Sequence, residues 1–186
     1  MDKAPSASAR VVSLAKSGEH GFSKQAFERV KVVQGIGVEG DAHAGEKVQH
    51  LSRVKANPDQ PNLRQVHLIH AELFEELREK GFTVGPADLG ENIVTAGIAL
   101  LELPRGAVLH IGPDVALEVT GLRNPCAQIE AFQKGLLAAV LDRGPDGELI
   151  RKAGVMSVVL SGGEIAVGDG IEVRLPPEPH EPLAPV

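Results

Sequence analysis

The apolar residues of this chain come in short runs, and glycine or proline cuts off nearly every one. Asn92 to Thr95, Ala107 to Ile111 and Val115 to Leu122 are separated by Gly97, Pro104-Arg105-Gly106 and Gly112-Pro113-Asp114. Val155 to Leu160, Ile165 to Val167 and Ile171 to Leu175 follow, with Gly162-Gly163 placed where a hairpin turn fits. Runs this short, bounded by residues that break regular structure, suit strands joined by turns and disfavour a helix bundle. Gly (21) and Pro (13) both exceed their usual shares of about 7% and 5%, so the punctuation is general. Val115, Leu117 and Val119 alternate with Ala116, Glu118 and Thr120, as a strand with one buried face requires. Earlier strands are expected at Arg10 to Ala15, Arg29 to Val33, Val48 to Val54 and Gln65 to Ile69.

Two segments break this rhythm. Ala71 to Lys80 places Leu73, Phe74 and Leu77 on one face and Glu72, Glu75, Glu76 and Glu79 on the other, with Gly81 as a stop. In residues 125 to 142, Ile129, Phe132, Leu136 and Val140 recur at helical spacing, weakened at Gly135. The pattern is a mainly β (α+β) domain, a barrel or sandwich with helices packed outside. Residues 1–9 are polar and Ala/Ser-rich and are expected to be disordered. Residues 10–175 form the domain. Residues 176–186 carry five prolines and are expected to lie extended on the surface or be disordered.

Composition narrows the function. A net charge of -6 argues against a general nucleic-acid or membrane-surface binder, since either needs a basic face, but it leaves room for a small basic pocket. No apolar run reaches the roughly 18–20 residues of a membrane span, and the start has no apolar signal core. A single cysteine, Cys126, forms no internal disulfide. A cytoplasmic protein with a free thiol is the expectation.

That cysteine sits in Leu122-Arg123-Asn124-Pro125-Cys126-Ala127, after a strand and before a helix. Asn124 suits an N-cap and Pro125 the first helical position, which places Cys126 in the first turn. Free backbone N–H groups there, with Arg123 beside them, favour a thiolate. Such settings bring a cysteine pKa from about 8.5 to between about 3.5 and 7.5. A thiolate serves as nucleophile, persulfide carrier or soft-metal ligand. The competing reading is an inert buried cysteine.

Other motifs stand in a fixed order around it. Gly37-Val38-Glu39-Gly40-Asp41-Ala42-His43 comes first, then Leu89-Gly90-Glu91-Asn92-Ile93, Leu103-Pro104-Arg105-Gly106, the cysteine segment, Arg151-Lys152-Ala153-Gly154-Val155, and Gly168-Asp169-Gly170-Ile171. Together these resemble the MOSC domain family, named for the C-terminal domain of molybdenum cofactor sulfurases, over about Arg10 to Val173. The resemblance implies a closed β-barrel of the MOSC type with a few peripheral helices, and it makes Cys126 the functional cysteine.

It also implies one of two chemistries. Either Cys126 ligates molybdenum in bound molybdenum cofactor (molybdopterin), in a reductase of N-hydroxylated compounds fed by an electron-transfer partner or in a cofactor carrier. Or Cys126 carries persulfide sulfur from a cysteine desulfurase, the pyridoxal phosphate (PLP) belonging to that partner. A non-catalytic interaction module in cofactor biosynthesis is the third possibility.

A phosphate-bearing, dithiolene cofactor needs cations and amide donors. Candidates are Lys24, Arg53, Arg64, Arg123, Arg151 and Lys152, with Arg64 and Arg123 bordering strand ends; Lys24, Arg53 and Lys152 read more readily as solvated surface charges. Glu91 and Asn92 match a family signature and would line the pocket or brace its loops, although Gly-Glu-Asn also makes a plain turn. Asp41 and His43 share that ambiguity. His67, beside Gln65, is a candidate pocket donor or proton-transfer group. His67 and His70, three apart on a strand, face opposite sides and share no metal. His43 and His50 can meet but lack a clear third ligand, which argues against zinc. Gly35-Ile36-Gly37-Val38-Glu39-Gly40 matches G-x-G-x-x-G, but no helical period follows it, so a dinucleotide fingerprint is not expected.

Overall fold

The computed structural model describes residues 8–186. The disordered start expected for residues 1–9 falls, through residue 7, outside the described residues. Ala9 already accepts the Ile171 N–H and packs on the core.

The strands are β1 (Arg10–Lys16), β2 (Gln25–Phe27), β3 (Arg29–Val33), β4 (Gly37–Val38), β5 (Val66–His70), β6 (Ile93–Ala96), β7 (Val108–Ile111), β8 (Val115–Leu122), β9 (Leu141–Arg143), β10 (Leu149–Arg151), β11 (Val155–Ser161), β12 (Gly163–Ala166) and β13 (Ile171–Arg174). The helices are α1 (Leu51–Ala56), α2 (Ala71–Glu79), α3 (Ala127–Phe132) and α4 (Leu136–Ala139). The protein is mainly β with few helices.

One eight-stranded sheet runs β13-β7-β8-β11-β5-β6-β1-β2. Its ladders are antiparallel except β5–β6, whose parallel register (Leu68 opposite Ile93) follows from the α2 crossover between them. A three-stranded sheet, β12-β3-β4, covers one face. Val30, Val32, Val38 and Ile165 from it meet Leu14, Leu68, Leu109, Leu117 and Val155 from the large sheet in the main core. The other face carries Leu73, Phe74 and Leu77 of α2, packed with Ile69, Val94, Ile129, Leu136 and Val140. The apolar stripe read from the sequence is therefore the stripe that α2 buries.

The sheets are open, and the closed barrel implied by the resemblance is not formed. β13 and β2 end the strand order, and no ladder joins β13 to β1 or β2 among the described residues. The cause is local. The Gly168-Asp169-Gly170 turn meets β1 only through backbone bonds to Val11 and an isolated Arg10–Gly170 bridge, before the chain swings away to pair with β7.

Three smaller expectations also change. Gly162-Gly163 is a crossover between sheets, because β12 pairs with β3 (Ile165 opposite Val30) and not with β11. A Cβ on Gly162 would meet the Val32 carbonyl at 2.7 Å, so glycine permits this close approach. The segment Val48 to Val54 is no strand: it leads into α1, which buries no residue. Its apolar positions 48, 51 and 54 have a helical spacing of three, and only Val48 is buried. The helix expected over 125–142 splits into α3 and α4 at Gly135, whose φ of 84° is left-handed, and its last residues become β9.

The proline-rich end lies along β8. The Leu122 N–H donates to the Ala184 carbonyl and the Val186 N–H to the Leu122 carbonyl, and the Gly121 Cα faces Ala184 and Val186 with no room for a side chain. No described helix is long and apolar enough to cross a membrane.

Candidate functional site

β8 carries the chain to the site. It ends at Leu122, and the Arg123 N–H still bonds the Gly154 carbonyl at 3.0 Å, which prolongs the pairing with β11 by one residue. Pro125 has no N–H to extend the ladder, so the chain turns out and α3 begins at Ala127. Cys126 is the N-cap, in extended conformation (φ -127°, ψ 171°), one position before the helical turn expected for it. It is half-buried; its sulfur lies 3.6 Å from Gln128 Oε1, and the Arg123 guanidinium is also set against it.

The thiol borders a cavity of about 270 Å³. Its walls include five chain regions: Phe22 and Lys24; His43, His50 and Arg53; Asn62, Arg64 and His67; Leu89 and Asn92; and Arg123 and Cys126. Of the residues singled out from sequence, Cys126, Arg123, Arg64, His67, Asn92 and Lys24 therefore come together, with Arg53 and His43. The other three do not line the cavity. Glu91 lies behind it, 1% exposed, with one oxygen accepting the Ala87 N–H and the other unpartnered. Arg151 is one step away and donates to Asn124 Oδ1 at 3.0 Å. Lys152 points elsewhere, pairing with Glu76 and, at 3.7 Å, with Asp142. The sequence reason is alternation: on an extended segment neighbouring side chains face opposite ways.

Charge in the cavity is unevenly matched. Lys24 is neutralised, its ammonium 2.9 Å from Asp41 with both side chains almost fully buried. Arg53, Arg64 and Arg123 have no carboxylate partner among the described residues. Arg123 is buried and donates to the Leu89 carbonyl at 2.6 Å; its guanidinium lies 5.8 Å from the centre of the Phe22 ring. Burial lowers the Arg123 pKa, and the adjacent Cys126 and Glu91 oppose this. Arg64 is brought down to about 10 by burial, with Arg53 and Arg123 adding repulsion and Cys126 countering. Its Nε is sealed from solvent without a partner.

Asp41 organises the floor. Its carboxylate accepts from Lys24, from the His43 N–H (3.0 Å), from the Ser17 N–H (3.2 Å) and from Asn92 Nδ2 (3.1 Å), with His43 Nδ1 at 3.4 Å. Burial pushes its pKa up, but His43 and Lys24 outweigh that and hold it well below the usual carboxylate range. Asn92 passes the order on: its Oδ1 accepts the His67 N–H at 3.1 Å, and its Nδ2 also reaches the Ala15 carbonyl. His67 in turn holds the Ala153 carbonyl at 2.7 Å. The Gly-rich loop thus acts by burying a carboxylate; the next helix, α1, begins only at Leu51 and not in the loop, as the G-x-G-x-x-G fingerprint requires.

Sequence reasoning missed Phe22, Gln49, Asn62 and Met156 as cavity residues. Phe22 follows a glycine in a loop and has no periodic neighbours, so no pattern marked it. His67 borders this cavity and His70 a separate surface cleft. The His43 and His50 rings lie 6.4 Å apart, and the described residues contain no group of three His, Cys, Asp or Glu fit to hold a metal.

The chain matches a known family. The MOSC domain matches residues 39–172, more than half of the chain, and the protein belongs to that family. Among solved structures, the YuaD protein from Bacillus subtilis aligns with a TM-score of 0.74 at 23% identity, covering 92% of this chain and 98% of that one. YiiM from Geobacillus stearothermophilus aligns at 0.63 and 17% identity, covering 89% and 75%. YiiM from Escherichia coli aligns at 0.59 and 17%, covering 92% and 73%. At these identities the likeness is one of fold. No curated protein sequence matches the chain.

Proposed function

We propose that this protein binds molybdenum cofactor, with Cys126 as the ligand to molybdenum, and works in the cytoplasm as a reductase of N-hydroxylated compounds or as a cofactor carrier. The observation that carries this is the convergence of Arg53, Arg64 and Arg123 on the cavity of Cys126, none of them in a salt bridge among the described residues. Three guanidiniums beside a thiol suit an anionic ligand with a sulfur-seeking centre. The unpartnered Arg64 Nε points to the same demand. The donor set therefore fits the cofactor.

Arg53, Arg64 and Arg123 would hold its phosphate, Cys126 would meet its metal, and Phe22 offers an apolar wall. When bound, the cofactor supplies two-electron chemistry at molybdenum. The chain's own share is to bind and orient: Asp41 and Asn92 set the floor, Glu91 lies behind Arg123, and Lys24 stays neutralised. An electron-transfer partner would supply reducing equivalents to the reductase.

The half-exposed Cys126 sulfur supports a second reading. In it the thiolate accepts sulfane sulfur from the persulfide of a PLP-dependent cysteine desulfurase and passes it to a metal-sulfur acceptor.

The guanidinium claim is tested on protein purified from a molybdate-supplied host. The Arg53→Ala/Arg64→Ala variant is expected to retain at least tenfold less pterin-bound molybdenum than the wild type at equal folded fraction. Equal metal and pterin in both would overturn the assignment of these residues.

A further inference from the structure

His67 is an acceptor set among donors. Its Nε2 lies 2.7 Å from the Ala153 carbonyl, and a carbonyl only accepts, so Nε2 carries the ring proton and Nδ1 a lone pair. Nδ1 has no hydrogen-bond partner among the described residues. Among the described residues, the unpartnered side-chain atoms sealed from solvent are Arg64 Nε, His70 Nδ1, Glu91 Oε2, Thr95 Oγ1 and His110 Nε2. His67 Nδ1 is not one of them, so it retains accessible surface, and the space this otherwise buried residue borders is the cavity.

The ring is also held in place. The Asn92 side chain ties down the His67 backbone, and a Cβ on Gly154 would lie 3.0 Å from Nε2, so no side chain intrudes there. Burial, with Arg123, Lys24 and Arg64 nearby, keeps the imidazole neutral far below its ordinary pKa. A neutral ring with a fixed tautomer cannot become a donor to suit the ligand.

We propose that His67 makes this cavity selective for anions that also carry a hydrogen-bond donor, such as a protonated phosphate, over anions that carry none. The guanidiniums take the negative oxygens, and the His67 lone pair takes the O–H or N–H. A ligand without that hydrogen leaves the lone pair unmet on binding, which is the larger part of such discrimination. The inference rests on the reading of the cavity as an anion site and adds the second half of the ligand's chemistry.

Inorganic phosphate and sulfate are the probes, because at pH 7 phosphate retains at least one P–OH and sulfate has none. The full chain, purified without molybdate, is titrated with each at matched ionic strength. Phosphate is expected to bind about tenfold tighter, and in His67→Leu the two anions should bind within about twofold of each other. Nitrogen-15 spectra of histidine-labelled wild-type protein should show His67 protonated at Nε2 only.

Equal affinity for the two anions in the wild type, or a proton on Nδ1, overturns the proposal while leaving the anion site standing. Binding of neither anion overturns the anion site and the proposal with it. Should His67→Leu fail to fold, the wild-type affinity ratio and the ring tautomer decide.

Discussion

Asp41→Asn is expected to destabilise the protein by about 3–5 kcal/mol, because it leaves the buried Lys24 ammonium without its counter-charge. For a chain of this size that is a fall in Tm of roughly 10 °C. The double variant Asp41→Asn/Lys24→Met should recover most of the loss, since it removes both charges from the interior. Thermal melts at pH 7 check both.

The pH dependence follows from the direction of the Asp41 shift. Its folded-state pKa lies below the ordinary 3.8, so its stabilisation is fully present above about pH 4. That contribution is lost as pH falls through the depressed folded value. The wild type should lose stability on acidification below about pH 4 more steeply than Asp41→Asn, whose residue 41 no longer titrates. Parallel acid limbs for the two proteins would mean that Asp41 does not stabilise the fold by its charge.

Gly154→Ala is expected to cost about 3 kcal/mol or more. Gly154 has a φ of 94°, and a Cβ there would collide with the Leu68 carbonyl oxygen, with Ile69 Cγ1 at 2.8 Å and His67 Nε2 at 3.0 Å. Backbone oxygen in a central ladder cannot swing aside as a flexible side chain can. Gly147→Ala separates the two contributions: φ is 79° there, with nothing within 4 Å, so it should cost only about 1 kcal/mol. Similar melting temperatures for the two variants would mean that β5 yields more than its position suggests. Gly154 also presents the carbonyl that holds the Arg123 N–H, so its replacement should disturb the Cys126 segment as well as the sheet.

The alternation in β8 and the charged-apolar division of α2 were legible because each concerns neighbours along the chain. Cys126 was legible for a related reason: a single thiol between a strand and a proline-led helix is a local signal. Even there, the last residue before the helix and the first residue of its first turn are hard to tell apart without the hydrogen-bond pattern. Sheet order was not legible. β12 leaves β11 to join β3, and the Gly168-Asp169-Gly170 turn touches β1 without forming a ladder; both depend on contacts between distant segments.

The same limit separated the cations. Lys24 and Lys152 look alike in sequence, yet one is buried against Asp41 at the cavity and the other is held by Glu76 on another face. Arg53 and Arg64 differ from both in forming no salt bridge among the described residues. In sequence Asp41 reads equally as a pocket residue or a turn residue, and only the fold shows that Lys24, Ser17, His43 and Asn92 converge on it.

The most direct test of the account is the metal, pterin and sulfur content of wild type and Cys126→Ser purified side by side from a molybdate-fed host. The half-exposed N-cap tolerates a hydroxyl, so the two proteins should melt within about 2 °C of each other. The wild type is expected to carry molybdenum and pterin, and Cys126→Ser to carry no molybdenum. Sulfane sulfur on Cys126 in place of molybdenum would move the function to sulfur transfer at the same thiol. Equal molybdenum in both proteins, or neither molybdenum nor sulfane sulfur in the wild type, would contradict a role for Cys126 in either chemistry.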